Sequence, residues 1–166
     1  MFRRFIDVVV LVGDGVVICF PVTIGVLLVW HLSLKQVAAV GVGILLAYWV
    51  LLCYIPVPGG VTGDLSPAGS WNAWVDTHLL PGISYQNRPV DPEGILSSFP
   101  AVVNAIAGVF AGQFIANAQA RGELKTVIGL VVLGSGVLAL GWLWDFIFPV
   151  NKELWTSSFV LVTVAS

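Results

Sequence analysis

The chain has 166 residues, of which 58 % are hydrophobic and only 10 % are charged, and its formal net charge is −2. Its 7 basic and 9 acidic residues cannot cover a soluble globule of this size, because soluble domains carry about 25 % charged residues, so the composition indicates a membrane protein. The net negative charge excludes nucleic acid as a partner, and two cysteines are too few for a disulfide scaffold.

The first fourteen residues are expected to form an interfacial lead into the membrane. Arg3 and Arg4 followed by an apolar run resemble the start of a signal peptide. Asp7 and Asp14 interrupt that run, and no small-residue cleavage site follows it. Residues 1–14 are therefore interpreted as a short lead rather than as a cleaved leader.

Four long charge-free stretches follow this lead. A bilayer core of about 30 Å needs roughly 20 apolar residues in a helix, and backbone groups in lipid must be satisfied within the segment. The stretches therefore predict membrane-spanning helices at about 15–34, 37–55, 97–119 and 126–147.

The last segment, 154–166, is apolar again but too short to cross a bilayer. It is interpreted as a truncated fifth span, so the chain is expected to be a fragment of a larger membrane protein. The predicted fold class is an all-α membrane protein with four transmembrane helices, a partial fifth and a long proline-rich extramembrane loop at 56–96.

The basic residues give an orientation. Lys35 lies between the first two predicted spans, and Arg121 and Lys125 lie between the third and fourth. The positive-inside rule places these two short loops in the cytoplasm and the loop 56–96 outside. Arg3 and Arg4 fall on the outer side in this arrangement and oppose it.

The loop 56–96 contains six prolines together with tryptophans and carboxylates, including Trp71, Trp74, Asp64 and Asp76. Proline at this density prevents one continuous helix, and loops of this length tend to be functional or disordered. Two interpretations remain open. The loop is either a binding site for a sugar or an amine, or an ordered cap whose tryptophans rest among the lipid headgroups.

The end of this loop carries two further carboxylates. Asp91 is suited to an N-cap with Pro92 as the first helical residue, and Glu93 complements the positive end of the helix. The same two acids are also able to bind a cationic or hydroxyl-rich substrate. The spacing favours the cap.

The third predicted span carries Asn104, Gly108 and Gly112 at intervals of four residues. A Gly-x-x-x-Gly stripe allows two helices to approach closely, so packing against a neighbouring helix, including a homo-oligomer, is expected. Asn104 on the same stripe is able to hydrogen-bond across such an interface or to face a polar cavity. His31 and His78 have no partner at metal-ligand spacing, so no metal is predicted.

Several motifs taken together resemble one family. They are Ala47–Leu52 leading to Val57–Gly59, then Gly63–Gly69, Asp91–Ser98 with Gly108–Gly112, and Phe148–Ser158. In this order they resemble the central portion of the heparan-alpha-glucosaminide N-acetyltransferase family and its bacterial relatives, across about residues 16–166. Residues 3–14 depart from the family pattern.

The resemblance implies a multi-span transferase that uses acetyl-CoA as co-substrate and acetylates the amino group of a terminal glucosamine across the membrane. It also implies an acetyl-handling histidine near the family's first span, which neither His31 nor His78 matches. The fragment is therefore expected to be inactive alone, and no catalytic residue is assigned.

The motifs and the predicted sidedness together suggest two groups of binding residues. Asp91, Glu93, Asn151 and Lys152 are predicted to line the outer end, which faces the amino-sugar acceptor. Arg121 and Lys125 are predicted to bind the phosphates of coenzyme A at the cytoplasmic end. A sugar transporter or a structural membrane subunit is the alternative function, and a bacterial inner membrane is the expected location.

Overall fold

The structure, a computed structural model, describes residues 16–79, 94–118 and 122–165. All regular elements in these ranges are helices, which confirms the predicted all-α class for the described part of the chain. The helices are α1 Val16–His31, α2 Leu34–Tyr54, α3 Trp71–Leu79, α4 Ser98–Ala116, α5 Glu123–Asp145 and α6 Ser157–Ala165. The interfacial lead predicted at 1–14 lies outside the described residues.

Three of these helices are long and apolar enough to cross a membrane. They are α2 with 21 residues, α4 with 19 and α5 with 23. The first helix, α1, contributes 16 described residues, beginning where the described part of the chain begins. The three long helices indicate a membrane protein, whereas the count of four spans and a partial fifth stays a prediction.

Local sequence sets the two ends of α2. At its start, the side-chain oxygen of Gln36 accepts the backbone N–H of Ser33 at 2.9 Å, which satisfies a donor that the helix itself leaves unpaired. At its end, Ile55 is extended with φ −104° and ψ 116°. Proline disfavours the helical conformation in the residue before it, so Pro56 accounts for the end of the helix.

The helix α4 packs against α1, α2 and α6. A Cβ atom at Gly25 of α1 would lie 3.0 Å from the Cβ atom of Ala105, so the glycine allows α1 and α4 to approach closely. Next to this contact, Val37, Val102 and Ile106 form a buried apolar cluster. The central position of α4 therefore depends on small residues on one side and branched residues on the other.

The glycine stripe on α4 differs from the expectation. Gly108 and Gly112 are exposed, and no described atom lies within 4 Å of a Cβ atom built at either position. The close packing predicted for this stripe is therefore not formed with any described helix. The side-chain oxygen of Asn104, on the same stripe, is buried without a hydrogen-bond partner in the described part of the chain.

The helix α5 lies mainly against α6. A Cβ atom at Gly141 would lie 3.0 Å from Cγ2 and 3.1 Å from the backbone nitrogen of Val162, so the two helices are in close contact there. Most of the remaining surface of α5 is apolar and exposed, with Val131 62 % exposed. Such a surface suits a lipid environment.

The segment between α2 and α4 contains a helix that the proline-rich composition did not predict. The helix α3 lies between Pro67 and Pro81, where no proline interrupts the chain. Before it, the Ser66 hydroxyl accepts the backbone N–H of Gly69 at 3.1 Å, and the Ser70 N–H donates to the Ser66 carbonyl at 3.1 Å. These turns lead the chain directly into α3.

Candidate functional site

Buried polar side chains are concentrated at one end of the bundle. The carboxyl ends of α2 and α5 meet there. The rings of Trp49 and Trp144 are in edge-to-face contact, with their centroids 6.1 Å apart. The buried polar residues at this end are Ser70, Asn72, Asp76, Ser97, Thr156, Ser157 and Ser158. Burying a polar group costs free energy unless it is hydrogen-bonded, and polar residues kept inside an apolar membrane protein often mark functional sites. We call this end the polar end and take it as the candidate site.

Tyr48 of α2 is the junction of the polar end. Its side chain is 4 % exposed, and its hydroxyl donates to the carbonyl of Leu154. The same hydroxyl accepts the side-chain N–H of Asn72 at 2.9 Å. A phenol has one proton to donate, so these two bonds use it as a donor and as an acceptor. Tyr48 therefore joins α2 to α3 and to the turn that follows α5.

Asp76 of α3 is the buried carboxylate of the polar end. Its side chain is 4 % exposed, and its Oδ1 accepts the backbone N–H of Ile95 at 3.3 Å. A Cβ atom at Gly94 would overlap with both of its carboxylate oxygens. Asp76 therefore fixes α3 against the turn that leads into α4, and only glycine fits opposite it.

Asn151 lies in the turn between α5 and α6 and is half-buried. Its side-chain oxygen accepts the N–H of Glu153 at 2.9 Å and that of Leu154 at 3.4 Å. Its backbone N–H donates to the Thr156 hydroxyl at 2.9 Å. Asn151 therefore stabilises this turn with its side-chain oxygen. Its predicted contact with a sugar would use the side-chain NH2 group.

Lys152 follows Asn151 and is exposed. Its carbonyl accepts the backbone N–H of Trp155 at 3.3 Å, which closes the turn. Trp155 has φ 50°, a conformation that is unfavourable for a bulky residue and that concentrates at functional or tightly constrained positions. The turn therefore presents the exposed side chain of Lys152 at the surface of the polar end, on a backbone with little freedom to move.

Ser157 and Ser158 attach the start of α6 to the same end. The Ser157 hydroxyl donates to the carbonyl of Leu45 at 2.7 Å, and the Ser158 hydroxyl donates to that of Phe148 at 2.6 Å. Both side chains are fully buried. They seal the polar end on the side of α5 and α6.

Asp91 and Glu93, two of the predicted substrate ligands, lie outside the described residues. The described chain resumes at Gly94, which contacts Asp76. The helix α4 begins at Ser98, so the expectation that Pro92 is its first residue is wrong. A turn from 95 to 97 precedes the helix, and the carboxylate of Asp76 accepts a backbone N–H of this turn.

Lys125 lies at the opposite end of the bundle from Lys152. It is exposed in the first turn of α5, whereas Asn151 and Lys152 follow the last turn. A helix rises 1.5 Å per residue, so the 23 residues of α5 separate the two ends by about 34 Å. Arg121, predicted to act with Lys125, lies outside the described residues.

Sequence reasoning missed Tyr48 and Asn72 as site residues, whereas it named Asp76 among the carboxylates of the loop 56–96, for which a sugar or amine site was one of two interpretations. Tyr48 lies within an uncharged apolar span, and Asn72 and Asp76 lie in a segment expected to be irregular. The available signal was a phenol inside a membrane span, since buried polar groups need partners. Among the described residues, no group of three or more histidine, cysteine or acidic side chains is arranged to hold a metal.

Asp64 lies in the loop before α3, where its Oδ1 accepts the backbone N–H of Ser66 at 2.9 Å. Hydrogen bonding from the side chain and the backbone of Ser66 lowers the pKa of Asp64, because these bonds favour the charged form. Asp64 is therefore a second carboxylate of this region, ionised and organised by its own turn.

Comparison with known proteins gives one informative similarity. No family model matches the chain. Human heparan-alpha-glucosaminide N-acetyltransferase (Homo sapiens) is 30 % identical over 142 aligned positions, which cover 68 % of this chain and 21 % of the human protein. The relationship is distant. The chain spans about a fifth of the length of this relative, and the match is consistent with the family resemblance that the motifs carry.

Proposed function

We propose that this chain contributes central spans of a multi-pass membrane acyltransferase that moves an acetyl group from acetyl-CoA to the amino group of a glucosamine acceptor. The observation that carries the proposal is the similarity to the human heparan-alpha-glucosaminide N-acetyltransferase along 68 % of the chain. Because the match covers 21 % of that relative, we assign the activity to a polypeptide or assembly that includes the remaining segments. Its location is proposed to be a bacterial inner membrane.

The separation of the two ends of α5 supports a reaction that works across a membrane. Lys125, with Arg121 nearby in sequence, is proposed to bind the phosphates of coenzyme A at one end. The ammonium of Lys125 lies in the first turn of α5, where helix N–H groups also favour anions. Glu123 in the same turn opposes this attraction, so two cations rather than one are needed there.

At the polar end, Asn151, Lys152, Asp91 and Glu93 are proposed to bind the amino sugar. A carboxylate is able to accept hydrogen bonds from hydroxyl and ammonium groups, and a lysine is able to donate to sugar oxygens. The buried junction around Tyr48 holds the turn that carries Asn151 and Lys152. The sugar would therefore meet side chains presented on a fixed backbone.

The proposed chemistry is an acyl transfer. The amine nitrogen attacks the thioester carbonyl carbon and a base accepts the amine proton; the carbon–sulfur bond breaks, coenzyme A leaves as its thiolate, and the base returns the proton to the sulfur. The residues of this chain are proposed to position the two substrates. The base is proposed to come from the histidine-bearing span that the family resemblance implies.

The proposal is tested by acetyl transfer in membranes that contain the product of the complete gene. Radiolabelled acetyl-CoA and glucosamine are supplied, and the KM for each substrate is measured separately. Lys152→Ala is expected to raise the KM for glucosamine about tenfold, the effect of losing one charged hydrogen bond, with little change in the KM for acetyl-CoA. Lys125→Ala is expected to raise the KM for acetyl-CoA about tenfold, with little change in the KM for glucosamine.

Lys35→Ala serves as the matched control, because Lys35 is another exposed lysine at a helix start and has no proposed role. It should leave both KM values unchanged. Absence of labelled N-acetylglucosamine would overturn the acyltransferase assignment, and sugar uptake without acetylation would favour the transporter. If Lys152→Ala and Asp91→Ala both left transfer unchanged, the assignment of the sugar site would be wrong.

A further inference from the structure

The helix α3 has an inside-out distribution of side chains. It buries Asn72, which is fully buried, and Asp76, which is 4 % exposed, whereas Leu79 is 61 % exposed. A surface helix of a water-soluble protein turns its apolar stripe inward and its polar residues outward. In α3 the amide and the carboxylate face the protein, and a large apolar side chain faces away from it.

The polar side chains on the outer side of α3 bond back to its own backbone. The Thr77 hydroxyl donates to the carbonyl of Ala73 at 2.6 Å, and Nδ1 of His78 lies 2.8 Å from the carbonyl oxygen of Trp74. The His78 ring also stacks on the Trp74 ring with centroids 4.4 Å apart. Polar groups that face lipid must be satisfied within the protein, and this arrangement achieves it.

The depth of α3 matches the end of a span rather than the water above it. The indole N–H of Trp71 donates to the carbonyl of Ile55, directly after α2, at 2.7 Å. Asn72 reaches Tyr48, which is six residues before the end of α2. At 1.5 Å per residue, these contacts place the start of α3 within about 9 Å of the end of the span.

Other exposed apolar side chains continue the outer face of α3 at the same level. Tyr54 at the end of α2 is 58 % exposed, and Trp142 and Phe146 at the end of α5 are 59 % and 88 % exposed. Trp49 and Trp144 are in contact, so the ends of α2 and α5 lie at the same depth. Tryptophan and tyrosine are enriched at the boundary between a bilayer and water.

From these observations we propose that α3 is an interfacial helix whose outer face, formed by Trp74, Val75, His78 and Leu79, contacts lipid. This face lies against the region of the bilayer where the headgroups meet the acyl chains. The inner face of α3 meanwhile covers Tyr48 and holds Asp76 against Gly94. The proposal concerns the lipid contact of α3 and is independent of the acyltransferase assignment.

The test measures the depth of a spin label in nanodiscs of phosphatidylcholine and phosphatidylglycerol. The full-length protein, with Cys19 and Cys53 replaced by alanine, carries one cysteine label at Leu79 or at His78. Matched control labels are placed at Val131, an exposed residue in the middle of α5, and at Lys152, an exposed residue of the turn. Collisions with oxygen and with a water-soluble nickel complex are compared.

Labels at Leu79 and His78 are expected to collide severalfold less with the nickel complex than the label at Lys152 does. They are expected to collide severalfold more with oxygen than with nickel, with a ratio between those of the two controls. Nickel accessibility equal to that at Lys152 would overturn the proposal, because the face would then be in water. Protection from both reagents would also overturn it, because another protein segment would then cover the face.

Discussion

The carboxylate of Asp76 lies directly against the Cα atom of Gly94, in space that a side chain at position 94 would occupy. The same carboxylate accepts the N–H of Ile95, so one residue of α3 holds the turn that leads into α4. The contact explains why a glycine follows Glu93. It also places a buried acid against the residue that follows Glu93 in the sequence.

Gly94→Ala is expected to force Asp76 and the turn apart. Overpacking of this kind costs about 1–3 kcal/mol, which should lower the midpoint of thermal unfolding in detergent. Gly43→Ala is the control, because no described atom outside its own helix backbone lies within 4 Å of a Cβ atom there. In an Asp76→Ala background the effect of Gly94→Ala should largely disappear. Additive effects of the two changes would contradict the contact.

Tyr48→Phe removes the hydroxyl that joins α2 to α3 and to the turn after α5. The amide of Asn72 and the carbonyl of Leu154 would lose a buried partner, at a cost of about 1–3 kcal/mol each where no water replaces it. Tyr54→Phe removes a hydroxyl from an exposed tyrosine of the same helix and serves as the control. The stability of both variants is measured by titration with sodium dodecyl sulfate. Equal unfolding midpoints for Tyr48→Phe and Tyr54→Phe would refute the role of Tyr48.

Gly141→Val is expected to separate α5 from α6. A Cβ atom at Gly141 already approaches the backbone of Val162 at 3.1 Å, and a valine would add two further methyl groups. Gly136→Val in the same helix makes the same change in helix propensity, and no described side chain or neighbouring helix lies within 4 Å of a Cβ atom there. The midpoint temperature of thermal unfolding should therefore fall for Gly141→Val and change little for Gly136→Val.

Acid should weaken the loop before α3. The pKa of Asp64 is lower in the folded protein than in the unfolded chain, so its ionised form adds stability above the unfolded pKa, about 3.9. That contribution is lost as the pH falls through the lowered folded value. Asp64→Asn should therefore be less stable than the wild type at neutral pH, with a difference that closes in strong acid.

Ser66→Ala provides the second arm of this experiment. It removes the side-chain hydrogen bond that contributes most to the lowered pKa of Asp64, while the backbone N–H remains. The pKa of Asp64 in the folded protein should then lie closer to that of the unfolded chain, so the loss of stability in acid should be smaller and should end at a higher pH than in the wild type. An unchanged acid profile would show that Ser66 does not set the titration of Asp64.

Hydrophobicity was enough to predict the long helices, because an uncharged run of about 20 residues has few alternatives to a membrane helix. The helix α3 escaped prediction since Asn72 and Asp76 point inward while Leu79 points outward, which departs from the usual pattern. The cluster of Tyr48, Asn72 and Asp76 escaped it because its contacts join residues far apart in the chain.

The predicted role of Asn151 shows a different limit. The motif marked the residue as important, and the structure shows that its side chain organises the turn that presents Lys152. Sequence alone does not separate a residue that contacts a substrate from one that holds its neighbour in place. The substrate contacts of Asn151, Asp91 and Glu93 stay predictions.

The bond between Tyr48 and Leu154 links positions 106 residues apart. A ribosome making this protein therefore releases α2 and α3 long before the carbonyl that completes their junction exists. During that interval α3 is held to the end of α2 by the bonds of Asn72 to Tyr48 and of Trp71 to Ile55, and the bond of Tyr48 to Leu154 is still missing. Late arrival of the turn after α5 thus fixes when, during biosynthesis, this end of the molecule can close.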